Sequence, residues 1–169
     1  MAEIYFAGGC FWGVEHFFKG VDGVESVTPG YANGNKENPS YEEVYTDSTG
    51  FAETVRVVYR PEKVSLSLLT KFFFAIIDPL SLNRQGHDEG TRYRTGVYYT
   101  DKADEPVIAA EFGKVQEKLA QKIVTELKPL ENFYLAEQYH HDYLDKNPGG
   151  DCHLPLKAFT YLRLYQDIK

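Results

Sequence analysis

Apolar and polar positions change rhythm along the chain, and each rhythm predicts an element. Residues 3–7, "EIYFA", alternate and predict a strand. "CFWGVEHFFKG" follows with Phe11, Val14, Phe17 and Phe18 at helical spacing and Gly20 as a stop. Residues 24–31, "VESVTPGY", predict a strand interrupted at Pro29-Gly30, and "NGNKENPS" has loop chemistry. "FAETVRVVYRP" is a strong strand ending at a proline. "SLSLLTKFFFAII" predicts a helix with Ser65 as N-cap, ended by Asp78-Pro79. Residues 81–95 are polar and irregular, longer than an ordinary connection, which suggests a functional loop. "GVYYT" is a short strand, residues 102–121 a long amphipathic helix, and "KIVTELKPL" another strand. "LAEQYHHDYLDKN" predicts a short helix. Residues 148–169 begin as loop and continue as helix or strand.

This order predicts an α/β (α+β) fold: one domain over 1–169, a two-layer sandwich with a mixed sheet and a ferredoxin-like core. A C-terminal segment from about residue 146, rich in Pro and Gly, is expected to be mobile and to carry Cys152. A chain of 169 residues can bury a sizeable core without staples.

Charge narrows the partners. The net charge of -7 opposes phosphate backbones and anionic lipid, so neither nucleic acid nor a membrane surface is expected. No apolar run approaches the roughly 20 residues of a membrane span. The start, "MAEIYFAGG", lacks the basic and apolar regions of a signal peptide, so a cytoplasmic protein is expected, and a monomer. Met1 is the only methionine, consistent with work under oxidants. Aromatic residues reach 15%, with 13 Tyr, and tyrosines beyond the needs of a core often line sites.

The chemistry candidates begin with Cys10, one of two cysteines, next to the only tryptophan. It stands where a strand gives way to a helix, after Gly8-Gly9. There the free N–H groups and helix dipole would favour a thiolate and depress its pKa. It is either a nucleophile or a small buried core residue. Phe11 and Trp12 form an apolar wall beside the sulfur or simply pack. In "FAETVRVVY" the period of two sets Glu53 with Phe51, Val55, Val57 and Tyr59. A carboxyl on that face has a raised pKa and can donate a proton, unless it marks the strand's wet end or an ion pair. Tyr41 and Tyr93 adjoin turn chemistry and are candidates for binding. Asp88, in the long loop, reads as a solvated acid. Cys152 in "NPGGDCH" either resolves an oxidised thiol or joins His140, His141 and His153 on a metal. No CxxC or HxxxH spacing supports the metal, so none is expected.

"GGCFWG", "GYANG" with "NPSYEEV", "GFAETVRVVYRP", "DPLSLNRQGHDEGTRYRTGVYY" and "AEQYHHDYLDKNPGGDCH" resemble, in order, the A-type peptide methionine sulfoxide reductases. The likeness spans nearly the whole chain. It implies reduction of methionine S-sulfoxide, free or in oxidised proteins, with Cys10 as nucleophile and Glu53 as acid. It implies that Tyr41 and Tyr93 bond the sulfoxide oxygen, Phe11 and Trp12 hold the methyl group and Asp88 helps hold the substrate's main chain. Cys152 matches the resolving cysteine. The resemblance further implies no resident cofactor, and thioredoxin or another dithiol as external reductant. One departure is Asp151, where the family often has tyrosine; its charge is expected to raise the Cys152 pKa and slow resolution. A non-catalytic binder of oxidised methionine and a thiol peroxidase or redox sensor are the alternatives.

Overall fold

The computed structural model describes residues 1–147. Cys152 and His153 lie outside the described residues, as do the expected mobile segment beyond Asn147 and the tail's helix or strand.

The core is the succession β1 (Ala2–Gly8), α1 (Phe11–Lys19), β2 (Val24–Ala32), β3 (Ala52–Tyr59), α3 (Leu66–Ile76) and β6 (Thr95–Tyr99). This is the β-α-β-β-α-β pattern of a ferredoxin-like fold. Between β2 and β3 lies a short helix α2 (Tyr41–Tyr45); between α3 and β6 lies a hairpin of β4 (Arg84–Gln85) and β5 (Asp88–Glu89). After β6 come α4 (Glu105–Glu117), β7 (Glu126–Pro129), β8 (Phe133–Leu135) and α5 (Tyr143–Lys146). The six-stranded sheet runs β7-β6-β1-β3-β2-β8. It is mixed, because β6 and β7 are parallel while the other neighbours are antiparallel.

The main core joins one sheet face to the helices. Ile4, Phe6, Val55 and Val57 pack there with Phe17, Phe18, Leu69 and Phe73, all buried. Phe6 stacks between Phe18 and Phe73, with ring centroids 4.8 and 5.0 Å away. A smaller cluster of Tyr5, Ala7, Ala32, Ala52 and Tyr98 lies on the opposite face with Leu130 and Phe133 packed against it.

Three local expectations are corrected. β2 runs through Pro29-Gly30 without interruption, pairing Pro29 with Val55 and Gly30 with Thr54. The Pro29 carbonyl accepts from Ala136 N–H at 3.0 Å, so the nitrogen of the same residue also faces away from β3. The missing N–H therefore removes no bond from the β2–β3 ladder. Gly30 is needed because a Cβ there would lie 2.3 Å from the Phe133 ring and 2.5 Å from the Tyr134 carbonyl of β8. Second, Ser40 caps α2 with a complete capping box to Glu43, so Tyr41 opens a helix rather than ending a loop. Third, the helix expected over 102–121 is α from Glu105 to Glu117 only, and residues 138–140 form a 3-10 turn ahead of α5.

Candidate active site

Antiparallel pairing brings the two chemical groups together. β1 ends at Gly8 and β3 begins at Ala52, so the exit of one strand meets the entrance of its neighbour. The register pairs Phe6 with Val55, and its continuation sets Glu53 opposite Gly8. Gly9 then turns the chain at φ 87°, a conformation that favours glycine, and Cys10 becomes the N-cap of α1.

Glu53 is buried at 1% exposure, on the face the alternation predicts. Its Oε1 accepts the Phe11 N–H at 3.2 Å, while its Oε2 is buried without a partner among the described residues. Burial pushes the carboxyl up to about 8; the Phe11 N–H and the Arg92 cation pull the other way, and Asp88 and Asp47 add to the rise. Glu53 is therefore a neutral acid at pH 7 with one oxygen uncommitted.

Cys10 corrects its expectation. The thiol is pushed well above its usual range, first by burial and then by the Glu53 charge, with Asp88 adding to them. The Trp12 and Gly13 N–H groups oppose this, as the helix start leads one to expect, but Cys10 makes no side-chain cap bond and desolvation wins.

The tyrosines belong to the same electrostatic cluster. Burial raises Tyr93 to about 12, and the Glu53 charge adds to it. Tyr41 is raised further, by burial, then by Glu53 and Tyr93. Both remain hydroxyl donors at every pH of interest. Tyr93 lies in a 3-10 turn (Thr91–Tyr93) before β6. Arg92 holds that turn. Its guanidinium lies over the Tyr93 and Tyr45 rings at 4.4 and 4.1 Å, and its Nη1 donates to Asp47 at 2.7 Å. Asp88, on the small hairpin, is not the solvated acid of the first expectation: its side chain is 19% exposed and its charge reaches both Cys10 and Glu53.

Phe11 is buried and Trp12 partly so. Trp12 Nε1 donates to His140 Nδ1 at 3.0 Å, and the Tyr143 ring stacks on the indole at 3.8 Å. His140 also faces the Phe11 and Tyr41 rings at 5.1 and 4.6 Å. With Nδ1 accepting, Nε2 carries the proton; it is buried with no partner among the described residues. Burial pushes this imidazole below the usual histidine range. Glu137 accepts from Tyr31 hydroxyl at 2.7 Å and from the Tyr41 N–H at 2.8 Å, fixing the start of α2 against the sheet.

The structure thus assembles Cys10, Phe11, Trp12, Tyr41, Glu53, Asp88 and Tyr93. Sequence analysis missed Arg92, Glu137 and the role of His140, which it weighed only as a metal ligand. Among the described residues no three of His, Cys, Asp and Glu converge to hold a metal ion.

Fold and site define a ferredoxin-like α/β protein that presents a cysteine and a neutral carboxylic acid at one end of its sheet. Residues 2–167 match the family model "Peptide methionine sulfoxide reductase". The chain is 55% identical over 155 residues to the Clostridium acetobutylicum peptide methionine sulfoxide reductase MsrA, covering 92% of this chain and 96% of that one. It is similar to Mxr1 of Saccharomyces cerevisiae in reduced form, with a TM-score of 0.86, 43% identity and 91% of each chain covered. Mxr1 in complex with Trx2 superposes with a TM-score of 0.59 at 31% identity, covering 83% of each chain. The chain belongs to the peptide methionine sulfoxide reductase family.

Proposed function

We propose that the chain reduces methionine S-sulfoxide, free or in oxidised proteins, with Cys10 as nucleophile and Glu53 as proton donor. The observation that carries this is the Glu53 carboxyl: buried, neutral at pH 7, one oxygen unpartnered among the described residues, and electrostatically coupled to the thiol of the residue at the start of α1. A sulfoxide oxygen is a poor leaving group until protonated, and a neutral acid in a dry site supplies that proton. Tyr41 and Tyr93 add hydroxyl donors to the same oxygen. Phe11 and Trp12 receive the methyl group, and Asp88 binds the substrate's main chain.

The raised thiol must ionise to attack. Protonation of Glu53 removes one of the charges that oppose ionisation, and the N–H groups of Trp12 and Gly13 face the sulfur. The substrate's sulfur, positive at its end of the S–O dipole, helps further. The thiolate attacks that sulfur and the oxygen passes to Cys10. Methionine leaves reduced by two electrons, and Cys10 becomes a sulfenic acid. Cys152 then condenses with it, releasing water and forming a Cys10–Cys152 disulfide. An external dithiol, thioredoxin, returns both thiols; the complex of Mxr1 with Trx2 supports that partner. The chain's own groups carry every step but the last, whose electrons come from the external dithiol, so no resident cofactor is invoked. Among the described residues no helix is long and apolar enough to cross a membrane, and a cytoplasmic site of action fits the chain.

The test is to mix reduced protein with methionine S-sulfoxide and no reductant. About one methionine per chain and a Cys10–Cys152 disulfide are expected. Stoichiometric binding with both thiols retained would mean a binder, and oxidation by peroxide alone a sensor.

A further inference from the structure

Trp12, Glu15, His16 and Lys19 follow one another at i, i+3, i+4 and i+7, one stripe on the helix that Cys10 caps. Every member of this stripe meets residues 140–145. Trp12 touches His140 and Tyr143 as described. Both oxygens of Glu15 accept the Asp142 N–H, each at 3.0 Å. Lys19 donates to Asp142 at 2.5 Å and also pairs with Asp145. His16 lies 3.5 Å from Asp145. The ion pairs are at the surface and contribute little. Glu15 differs: it is 2% exposed, and it holds a backbone group of a residue in the left-handed conformation, φ 56°, ψ 34°. Burial pushes the Glu15 carboxyl up to about 7, so the Lys19 charge does not offset its desolvation. An apolar residue would fill that space without the penalty. Something other than packing accounts for an acid there.

We infer that Glu15 is a positioning residue for the second chemical step: it fixes Asp142 to the nucleophile's own helix and so sets where the chain leading to Cys152 begins. The inference rests on the proposed role of Cys152. Cys152 lies seventeen residues past the end of β8 at Leu135 but only ten past Asp142. A shorter connection in sequence favours ring closure only modestly. The larger gain is a fixed origin and direction against α1, which raises the effective concentration of one thiol at the other. The step served is condensation of the Cys10 sulfenic acid with the Cys152 thiol: one S–S bond forms, the Cys10 S–O bond breaks, and water leaves. Attack on the sulfoxide does not use the Glu15–Asp142 contact.

Glu15→Ala and Glu15→Gln separate the two steps. Reduced protein is mixed with saturating methionine S-sulfoxide without reductant. Methionine release, loss of thiols and trapping of sulfenic acid by dimedone are followed in time. Methionine release is expected within about twofold of wild type. Disulfide formation is expected to slow about tenfold in Glu15→Ala and about threefold in Glu15→Gln, which keeps the side-chain volume and one acceptor, with a trapped sulfenic acid accumulating. Disulfide formation at the wild-type rate overturns the inference. So does equal slowing of both steps, which would mean a general loosening of α1. Wild-type protein that releases methionine but forms no Cys10–Cys152 disulfide removes the role of Cys152, and this inference with it, while leaving Cys10 and Glu53 in place.

Discussion

Glu53 carries the most consequence for its size. Replacing it by Gln removes the proposed proton donor, and methionine release is expected to fall by 10²-fold or more, about the contribution of a general acid. The same substitution bears on stability. The Glu53 carboxyl stands at about 8 when folded and near 4.5 otherwise, so the folded state binds the extra proton between those values. Stability from this group therefore falls as pH rises through that window, by an amount on the order of a few kcal/mol. Glu53→Gln should raise the melting temperature at pH 9 relative to wild type and change it little at pH 4; an equal shift at both would refute the linkage. Cys10 and Glu53 titrate as a pair, and the proposed attack needs the pair with one proton, on Glu53. The rate of methionine release at low sulfoxide is thus expected to climb with pH as the first proton leaves, near 8, and to decline once the second leaves. Arg92 lowers Glu53, so Arg92→Gln should move the rising limb to higher pH; an unmoved limb would take Arg92 out of the electrostatics. The side of the strand that holds Glu53 was legible from its period of two. The direction of the Cys10 shift was not, because a helix start is local sequence while burial and the Glu53 charge arrive from 43 residues away. His140 was illegible for the same reason: its partner, Trp12, is 128 residues distant.

At the scale of elements, the central strands were readable because their patterns are long. β1 and β3 show clean alternation, and α1 and α3 bury apolar stripes with Ser65 accepting from Leu68 N–H as a cap for α3. What escaped were the short pieces. β8 has three residues and among the described residues pairs only with Gly30–Ala32, so its existence depends on a partner rather than on its own pattern. Pro29-Gly30 read as punctuation because both residues usually break strands. Here the proline nitrogen points off the ladder and the glycine makes room for Phe133. Gly30→Ala should therefore destabilise by about 1–3 kcal/mol through overpacking, read as a lower urea midpoint at unchanged slope. A neutral effect would show that β8 can yield. That edge matters to the site, because β8 leads directly into Glu137 and His140.

Across the whole molecule, residues from both ends of the described chain meet at one end of the sheet. The N-cap and first turn of α1 supply Cys10, Phe11 and Trp12, β3 supplies Glu53, and the stretch after β8 closes over the indole. Cys152→Ser separates the halves of the proposed cycle: one methionine released per chain, then no thioredoxin-dependent turnover. Continued cycling would remove Cys152 from the reaction. The joint between the two halves contains the only tryptophan in the sequence. Its ring is stacked on Tyr143 and its N–H is committed to a neutral imidazole. The protein therefore carries its own optical gauge, with no dye to attach. Indole emission reports on a single place, and an imidazolium quenches it where a neutral ring does not. Since burial holds His140 below the usual histidine range, the emission should stay level through pH 6.5 and drop only in more acid solution. A drop centred at an ordinary histidine value would mean that the indole and the imidazole part company in solution. The same signal, followed through one round of sulfoxide addition, would time the movements of the chain that no thiol assay sees.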